Sequence, residues 1–381
     1  MSPVLSKDSL SHKGRKYGVR ILAVTGSSGG HIFPALSFLN AFKEEKRGAE
    51  TLLVMPDSPA IHRIGAIGHR TEYIPLVRFS SGINLENIIA ALKYLKGSLD
   101  SLWVLIRFHP EIVVGFGTIY SLPTVLFARL FRIKTLIHEQ NVVPGRANSF
   151  LARFVDKIAL SFENSGSFFK FSKNKLAFTG NPLRQNLKAV DRDEALDFFD
   201  FDPDKFTVLV IGGSQGSRMV NRIFLEALAS LRGKYSLQVI HITGDKDYDF
   251  IKNEYENLEL KFKLFVFLKE IEYAYSISDL VVSRAGATTI AELMKFAIPA
   301  VIIPYPFAYS HQSSNARVLQ DLGAAVVLDE NKLNPVMFRE LLEGLVSSPQ
   351  RIDSMRSGYR KIERPNADSL LIDQAVSLLK V

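Results

Sequence analysis

Val24-Thr25-Gly26-Ser27-Ser28-Gly29-Gly30-His31 closes one apolar run and leads into a helical pattern near Phe33-Pro34. Ile211-Gly212-Gly213-Ser214-Gln215-Gly216-Ser217 does the same before Met219–Leu231. A strand, a glycine-rich turn and a helix form a unit whose backbone approaches a bound group closely. The free N–H groups and positive end of the helix favour an anion there. One such turn carries little weight, because tight strand-to-helix turns need glycine for steric reasons alone. Two of them, one per half of the chain, strengthen the case for a bound anionic group such as a diphosphate.

Around each turn the sequence alternates strand-like and helix-like runs. The first half has strand patterns at Val19–Thr25, Thr51–Met55, Thr71–Leu76, Glu111–Val114, Lys134–His138 and Lys157–Leu160. The second has them at Thr207–Ile211, Leu237–Thr243, Lys263–Leu268, Leu280–Ser283, Ala300–Pro304 and Ala325–Leu328. Most are continuous apolar runs, as expected of parallel sheets covered on both faces. Two series of this kind imply an α/β protein with two Rossmann-like doubly wound domains. The expected division is a disordered basic tail (1–17), an N-terminal domain (18–184), a C-terminal domain (185–364) and a last segment (365–381) whose helix packs back on the first domain. The join falls at Gly180-Asn181-Pro182-Leu183-Arg184, where Gly-Asn-Pro ends regular structure.

The 381 residues exceed one ordinary core, and 47% hydrophobic with 23% charged residues suits a globular protein. The absence of cysteine excludes disulfides, thiolate nucleophiles and cysteine-based zinc sites. No run reaches the ~20 apolar residues that a spanning helix requires. Residues 1–184 hold 24 Lys+Arg against 12 Asp+Glu and the remainder 23 against 27, so the first half carries +12 and the second −4. A basic half attracts nucleic acid, an anionic membrane or a phosphorylated substrate. No helix-turn-helix, RNP or zinc-finger pattern supports nucleic acid as a partner.

Three further segments fall where doubly wound folds place ligands, at the carboxyl ends of strands. They are His138-Glu139-Gln140-Asn141 with Pro144-Gly145-Arg146-Ala147-Asn148, then Ser283-Arg284-Ala285-Gly286-Ala287-Thr288-Thr289-Ile290-Ala291-Glu292, and Ser310-His311-Gln312-Ser313-Ser314-Asn315-Ala316. Small residues and hydroxyls at a helix start suit a diphosphate. Glu292, one turn further on, is either a ribose acceptor or an ordinary solvated glutamate.

Gly-x-x-Gly-Gly-His, His-Glu-Gln-Asn, Gly-Asn-Pro-x-Arg, Gly-Gly-Ser-Gln-Gly-Ser, Ser-Arg-Ala-Gly-Ala-Thr-Thr-Ile-Ala-Glu and His-Gln-x-x-Asn-Ala occur in this order across residues 24–316. Together they resemble the MurG-type N-acetylglucosaminyltransferases of peptidoglycan synthesis. The resemblance implies the GT-B fold, two Rossmann-like domains facing across a cleft. It also implies inverting transfer of N-acetylglucosamine from UDP-N-acetylglucosamine to the 4-hydroxyl of the muramyl sugar of lipid I, giving lipid II. The implied place is peripheral, on the cytoplasmic face of the inner membrane, with cell-wall synthesis proteins as partners.

Carried onto this chain, the resemblance puts Ser214 and Ala287-Thr288-Thr289 on the diphosphate, the Leu268 backbone on uracil, Glu292 on ribose and Gln312 on the sugar hydroxyls. Arg184 reaches the nucleotide from the join, and Ser28, Gly29, Gly30 and Asn141 approach from the first domain. His31 is the expected general base, its imidazole being poised near neutral pH; Glu139 is the second candidate. A purely hydrogen-bonding or helix-capping His31 is the plainer alternative. No metal or cofactor is required, since helix N–H groups and the helix dipole meet the departing charge. Asp245-Lys246-Asp247-Tyr248-Asp249 has a metal-like Asp-x-Asp spacing but is expected to be a solvated loop. Two departures from the family pattern are Ser310, where an aspartate is common, and Thr25-Gly26-Ser27-Ser28 in place of Gly-Gly-Thr.

Asn84–Arg107 reads as one or two amphipathic helices with Ile88, Ile89, Leu92, Leu95, Leu99, Leu102, Trp103 and Ile106 as the apolar set, flanked by Lys93, Lys96 and Arg107. Most of the stripe is expected in the core. A subset including Ile88, Leu92, Leu95 and Trp103 is expected to remain outside and face an anionic membrane surface. Rival readings are a UDP-sugar-dependent diacylglycerol glycosyltransferase, a dinucleotide-dependent oxidoreductase, a UDP-sugar epimerase and a scaffold with a decayed site. The oxidoreductase lacks support: the first loop has no Gly-x-Gly-x-x-Gly spacing, and Pro56, not an acid, follows Thr51–Met55.

Overall fold

The computed structural model describes residues 18–58, 68–77, 79–80, 82, 84–213, 216–231, 233–306, 311–362 and 365–380. The N-terminal tail, Ser214 and Ser310 therefore lie outside the described residues. The first sheet contains β1 (Arg20–Val24), β2 (Glu50–Pro56), β3 (Arg70–Ile74), β4 (Ile112–Gly115), β5 (Lys134–Glu139), β6 (Lys157–Leu160) and β7 (Leu176–Phe178), in the order β3-β2-β1-β4-β5-β6-β7. The second contains β8 (Phe206–Ile211), β9 (Leu237–Ile242), β10 (Lys261–Phe265), β11 (Leu280–Ser283), β12 (Ala300–Ile302) and β13 (Ala325–Val327), in the order β10-β9-β8-β11-β12-β13. Every pairing is parallel.

Alternate residues of β1 enter different cores. Leu22 and Val24 join one buried cluster, Ile21 and Ala23 another, so helices cover both faces and each strand reads as an unbroken apolar run. Strand order reverses at β1/β4 in one sheet and at β8/β11 in the other. A doubly wound sheet opens its ligand crevice at that place. β7 is the one strand with no expected counterpart. Its Leu-Ala-Phe is a short, incompletely buried edge that gives no run to detect.

The last helix, Ala367–Ser377, leaves the second sheet and completes the first core. Leu371, Ile372 and Ala375 are buried beside Phe38 and Phe42 of the first helix, Gly29–Glu45. Lys157 Nζ donates to Gln374 Oε1 and Ser377 Oγ, each at 2.7 Å.

The long helix Leu85–Phe108 corrects one expectation. Of its apolar set, Ile88, Ile89, Leu92, Leu95, Leu99, Trp103 and Ile106 are exposed, and Leu102 is half-buried. The face turned inward is instead carried by Ala90, Gly97, Ser101, Val104, Leu105 and Phe108. A Cβ on Gly97 would meet Pro75 Cδ at 3.4 Å, and Thr124 Oγ1 donates to Ser101 Oγ at 3.1 Å. Small residues bring the helix close to the domain, which leaves its large side chains on the far side. Asp247 corrects another. It is buried and accepts from Arg218 Nε at 3.1 Å and Asn221 Nδ2 at 3.0 Å, so it braces the start of the second glycine-turn helix and is not solvated.

Candidate active site

The first glycine turn is tighter than its sequence suggests. The helix begins at Gly29, with Ser28 as an extended N-cap making no side-chain cap bond, so Gly29, Gly30 and His31 form the first turn and Pro34 lies inside the helix. Pro34 has no N–H, so the carbonyl four residues earlier, that of Gly30, has no helical donor. Thr288 Oγ1 fills that role from the second domain, 3.5 Å from Gly30 O. Thr288 stands on the first turn of the helix Ala287–Phe296, whose N-cap Gly286 also lacks a side-chain cap bond. Two uncapped helix starts, each a positive end with unused N–H groups, thus meet across the gap between the sheets.

His31 is half-buried on that turn. Its Nδ1 lies 2.8 Å from Phe116 O and 3.2 Å from Gln140 Oε1. Desolvation lowers its pKa below the ordinary histidine value, opposed by the Glu139 charge and by the bonds to Phe116 and Gln140. The ring is therefore neutral at pH 7, the state of a base. Gly117, following β4 with φ +81°, makes room for it: a Cβ there would sit 3.4 Å from His31 Nδ1 and Cε1.

Glu139 is buried, and its carboxylate accepts four N–H groups. Oε1 takes Asn141 N at 2.9 Å and Asn141 Nδ2 at 3.2 Å; Oε2 takes Gly145 N at 3.1 Å and Asn148 Nδ2 at 2.8 Å. Four donors saturate the lone-pair positions of a carboxylate. These surroundings suit a brace for the loop 139–148 better than a proton acceptor.

That loop is tied to the second domain by Asn315, which is fully buried. Asn315 Nδ2 donates to Asn141 Oδ1 at 3.0 Å and Ala285 O at 3.1 Å, while its Oδ1 accepts Val142 N at 2.9 Å. Gln312, one helical turn earlier, accepts Ala285 N at 3.1 Å and Tyr305 N at 2.9 Å, which leaves its amide N–H groups without a described protein partner. Arg284, flanked by Ser283 and Ala285, is buried and donates to Ser217 Oγ and Ile303 O at 3.0 Å and to Glu330. It therefore holds the two ligand-type loops of the second sheet together.

Arg184 spans the seam. Its guanidinium lies 4.9 Å from the centre of the Phe33 ring on the first helix and 3.9 Å from Glu292 Oε1 on the second domain. Its Nε and both polar atoms of the Asn181 amide are buried and have no protein partner among the described residues, the chemistry of a place that takes a polar ligand. Glu292 is buried, not solvated. Tyr275 donates to its Oε2 at 2.8 Å, and desolvation raises its pKa against the pull of Arg184. Leu268 is buried in the core beside β10.

The structure thus gathers His31, Ser28, Gly29, Gly30, Glu139, Asn141, Arg184, Ala287, Thr288, Glu292 and Gln312 around one seam. Phe116, Gln140, Asn315 and Tyr275 are contributors that motif reading left without roles. Gly115-x-Gly117 at a strand end and Asn315 three residues after Gln312 were the available signals.

Two family models match the chain: the glycosyltransferase family 28 N-terminal domain over residues 21–160 and the family 28 C-terminal domain over residues 207–370. Two similar relatives are both described as UDP-N-acetylglucosamine–N-acetylmuramyl-(pentapeptide) pyrophosphoryl-undecaprenol N-acetylglucosamine transferase. That of Halothermothrix orenii is 34% identical, covering 93% of this chain and 98% of the relative. That of Desulfotalea psychrophila is 36% identical, covering 93% and 95%. Among solved structures, Acinetobacter baumannii MurG superposes with a TM-score of 0.72 at 24% identity, over 94% of this chain and 99% of that one, a likeness of fold.

Proposed function

The chain belongs to glycosyltransferase family 28, and from that premise we propose that it moves N-acetylglucosamine from UDP-N-acetylglucosamine to the 4-hydroxyl of the muramyl sugar of lipid I, yielding lipid II and UDP. The observation that carries the reading is the meeting of two uncapped helix starts at Gly30 and Thr288, with a neutral histidine on one of them.

In this reading His31 Nε2 takes the proton of the acceptor hydroxyl as its oxygen attacks the anomeric carbon from the face opposite UDP. The bond from that carbon to the diphosphate oxygen breaks, with inversion. The charge left on UDP meets the N–H groups of Ala287, Thr288 and Thr289 and the positive helix end. Ser214 adds a hydroxyl, Glu292 and Arg184 hold the nucleoside, the Leu268 backbone takes uracil and Gln312 the sugar hydroxyls. Ser28, Gly29, Gly30 and Asn141 close over the donor sugar and the acceptor pyrophosphate from the first domain, and Glu139 keeps the loop of Asn141 in shape.

The acceptor's lipid gives the exposed helix face its purpose. Ile88, Leu92, Leu95 and Trp103 form a stripe along the 24-residue helix, beside exposed Lys93, Lys96 and Arg107. Exposed Leu130 and Phe131 lie in sequence between Arg129 and Arg132. Such a surface rests in the headgroup layer, with about 1 kcal/mol per cation from anionic lipid. This supports a peripheral place on an anionic membrane surface, which for an enzyme acting on lipid I is the cytoplasmic face of the inner membrane. No helix among the described residues is long and apolar enough to cross a membrane.

The test supplies radiolabelled UDP-N-acetylglucosamine with a lipid I analogue or with diacylglycerol. Label should pass to the lipid I analogue; transfer to diacylglycerol alone would replace the acceptor. His31→Ala should lower turnover by roughly two to four powers of ten. Near-normal turnover at saturating substrate would remove His31 as the base.

A further inference from the structure

A neutral imidazole serves as a base only through the nitrogen that lacks the proton, so the tautomer of His31 matters as much as its pKa. Nδ1 faces two oxygens, Phe116 O and Gln140 Oε1, neither of which carries a hydrogen to donate. The proton must therefore sit on Nδ1, shared between them, and the lone pair on Nε2. Gln140 is buried and held at its other end as well. Its Nε2 donates to Phe116 O at 3.3 Å and to His138 Nδ1 at 3.2 Å. A flipped amide would press its NH2 against the Nδ1–H of His31 and its oxygen against the lone pair of His138, so one orientation survives. His138, fully buried, accepts at Nδ1, and its Nε2–H donates to Gly180 O at 3.1 Å. Burial lowers its pKa to about 4, which keeps it neutral throughout the working range.

We infer that Gln140, itself oriented by His138, is the positioning residue that fixes the His31 ring with Nδ1 protonated and Nε2 available to the acceptor hydroxyl. The chain of bonds runs from the join at Gly180 through His138 and Gln140 to His31, and the two histidines hold opposite tautomers. The charged and titratable groups facing His31 are Glu139, beside Gln140, and His311 from the second domain, with His138 beyond the amide. The inference rests on His31 being the base; the tautomers can be read without that assumption.

Selective 15N-histidine labelling with NMR of the full chain reads them directly, with His31 and His138 assigned by substitution. A protonated Nδ1 on His31 together with a protonated Nε2 on His138 is expected. A protonated Nε2 on His31 overturns the inference. Gln140→Leu should lower kcat on the order of tenfold while KM for UDP-N-acetylglucosamine stays within about twofold, because the ring loses its orientation and the donor loses nothing. Gln140→Glu places a negative acceptor on Nδ1–H, which favours the imidazolium. The acid limb of kcat/KM should move up by about one pH unit. Wild-type kcat and pH profile in both variants, with His31→Ala inactive, would sink the positioning role and leave the base assignment intact. Retained turnover in His31→Ala sinks the base assignment and the relay's part in catalysis with it.

Discussion

At the scale of single residues, His31 and Glu139 occupy opposite situations within one loop cluster. Desolvation holds the imidazole below its ordinary pKa, so the active unprotonated form persists as pH falls to 6.5 and is lost only below it. The acid limb of kcat/KM should accordingly lie below pH 6.5. An acid limb near 7 would mean that the Glu139 charge outweighs burial. Glu139 carries four N–H bonds, and replacing one oxygen by NH2 turns two acceptances into donor–donor contacts. Glu139→Gln should thus lose about 1–3 kcal/mol of stability along with turnover. Lost turnover at an unchanged thermal midpoint would instead mark Glu139 as the base. Motif reading offered both residues as candidate bases. What separated their surroundings was the set of backbone donors at Asn141 and Gly145, which no spacing encodes.

At the scale of elements, the helix Leu85–Phe108 has two apolar faces that sequence periodicity cannot rank. Hydrophobic size argued for burying the leucines, while packing chose Ala90, Gly97 and Ser101 because they let the helix approach Pro75 and Thr124. The large side chains were left outside, with Trp103 62% exposed. Leu92→Asp with Trp103→Asp should therefore weaken cosedimentation with anionic vesicles by more than tenfold. The same change should alter stability by no more than about 0.5 kcal/mol per site, as at exposed positions generally. A collapse of the thermal midpoint would show that the face is covered in the folded protein. Pro34 teaches the same lesson at the first helix. It reads as a helix start, yet it lies one turn inside, where its missing N–H leaves Gly30 O to Thr288.

At the scale of the whole molecule, buried histidines link stability to pH. His241 is fully buried between Asn221 Oδ1 and the Tyr255 hydroxyl, each at 3.1 Å, and burial lowers its pKa to about 3. The unfolded chain binds a proton there near pH 6.5 while the fold does not, so stability contributed by this site is present above 6.5 and lost as pH falls toward 3, at about 1.4 kcal/mol per unit. Acids whose pKa values desolvation raises, the buried Glu292 and the half-buried Asp279 and Asp368, act in the opposite sense. The clean measurement is therefore a difference. His241→Gln, which still donates and accepts but does not titrate, should lose less of its thermal midpoint between pH 7 and pH 5 than the parent does. Equal losses would show that His241 titrates normally in the fold.

Twelve strands, the two glycine turns and the doubly wound class were legible in the sequence alone, because continuous apolar runs and glycine at strand ends are local consequences of burial and close backbone approach. The tertiary structure decided which helix face is buried, which oxygens stand against His31 Nδ1, and that Asn315 ties Asn141 to Ala285 across the seam. Those outcomes depend on contacts between segments as much as 174 residues apart, where packing distance and hydrogen-bond direction, not residue type, select the partner.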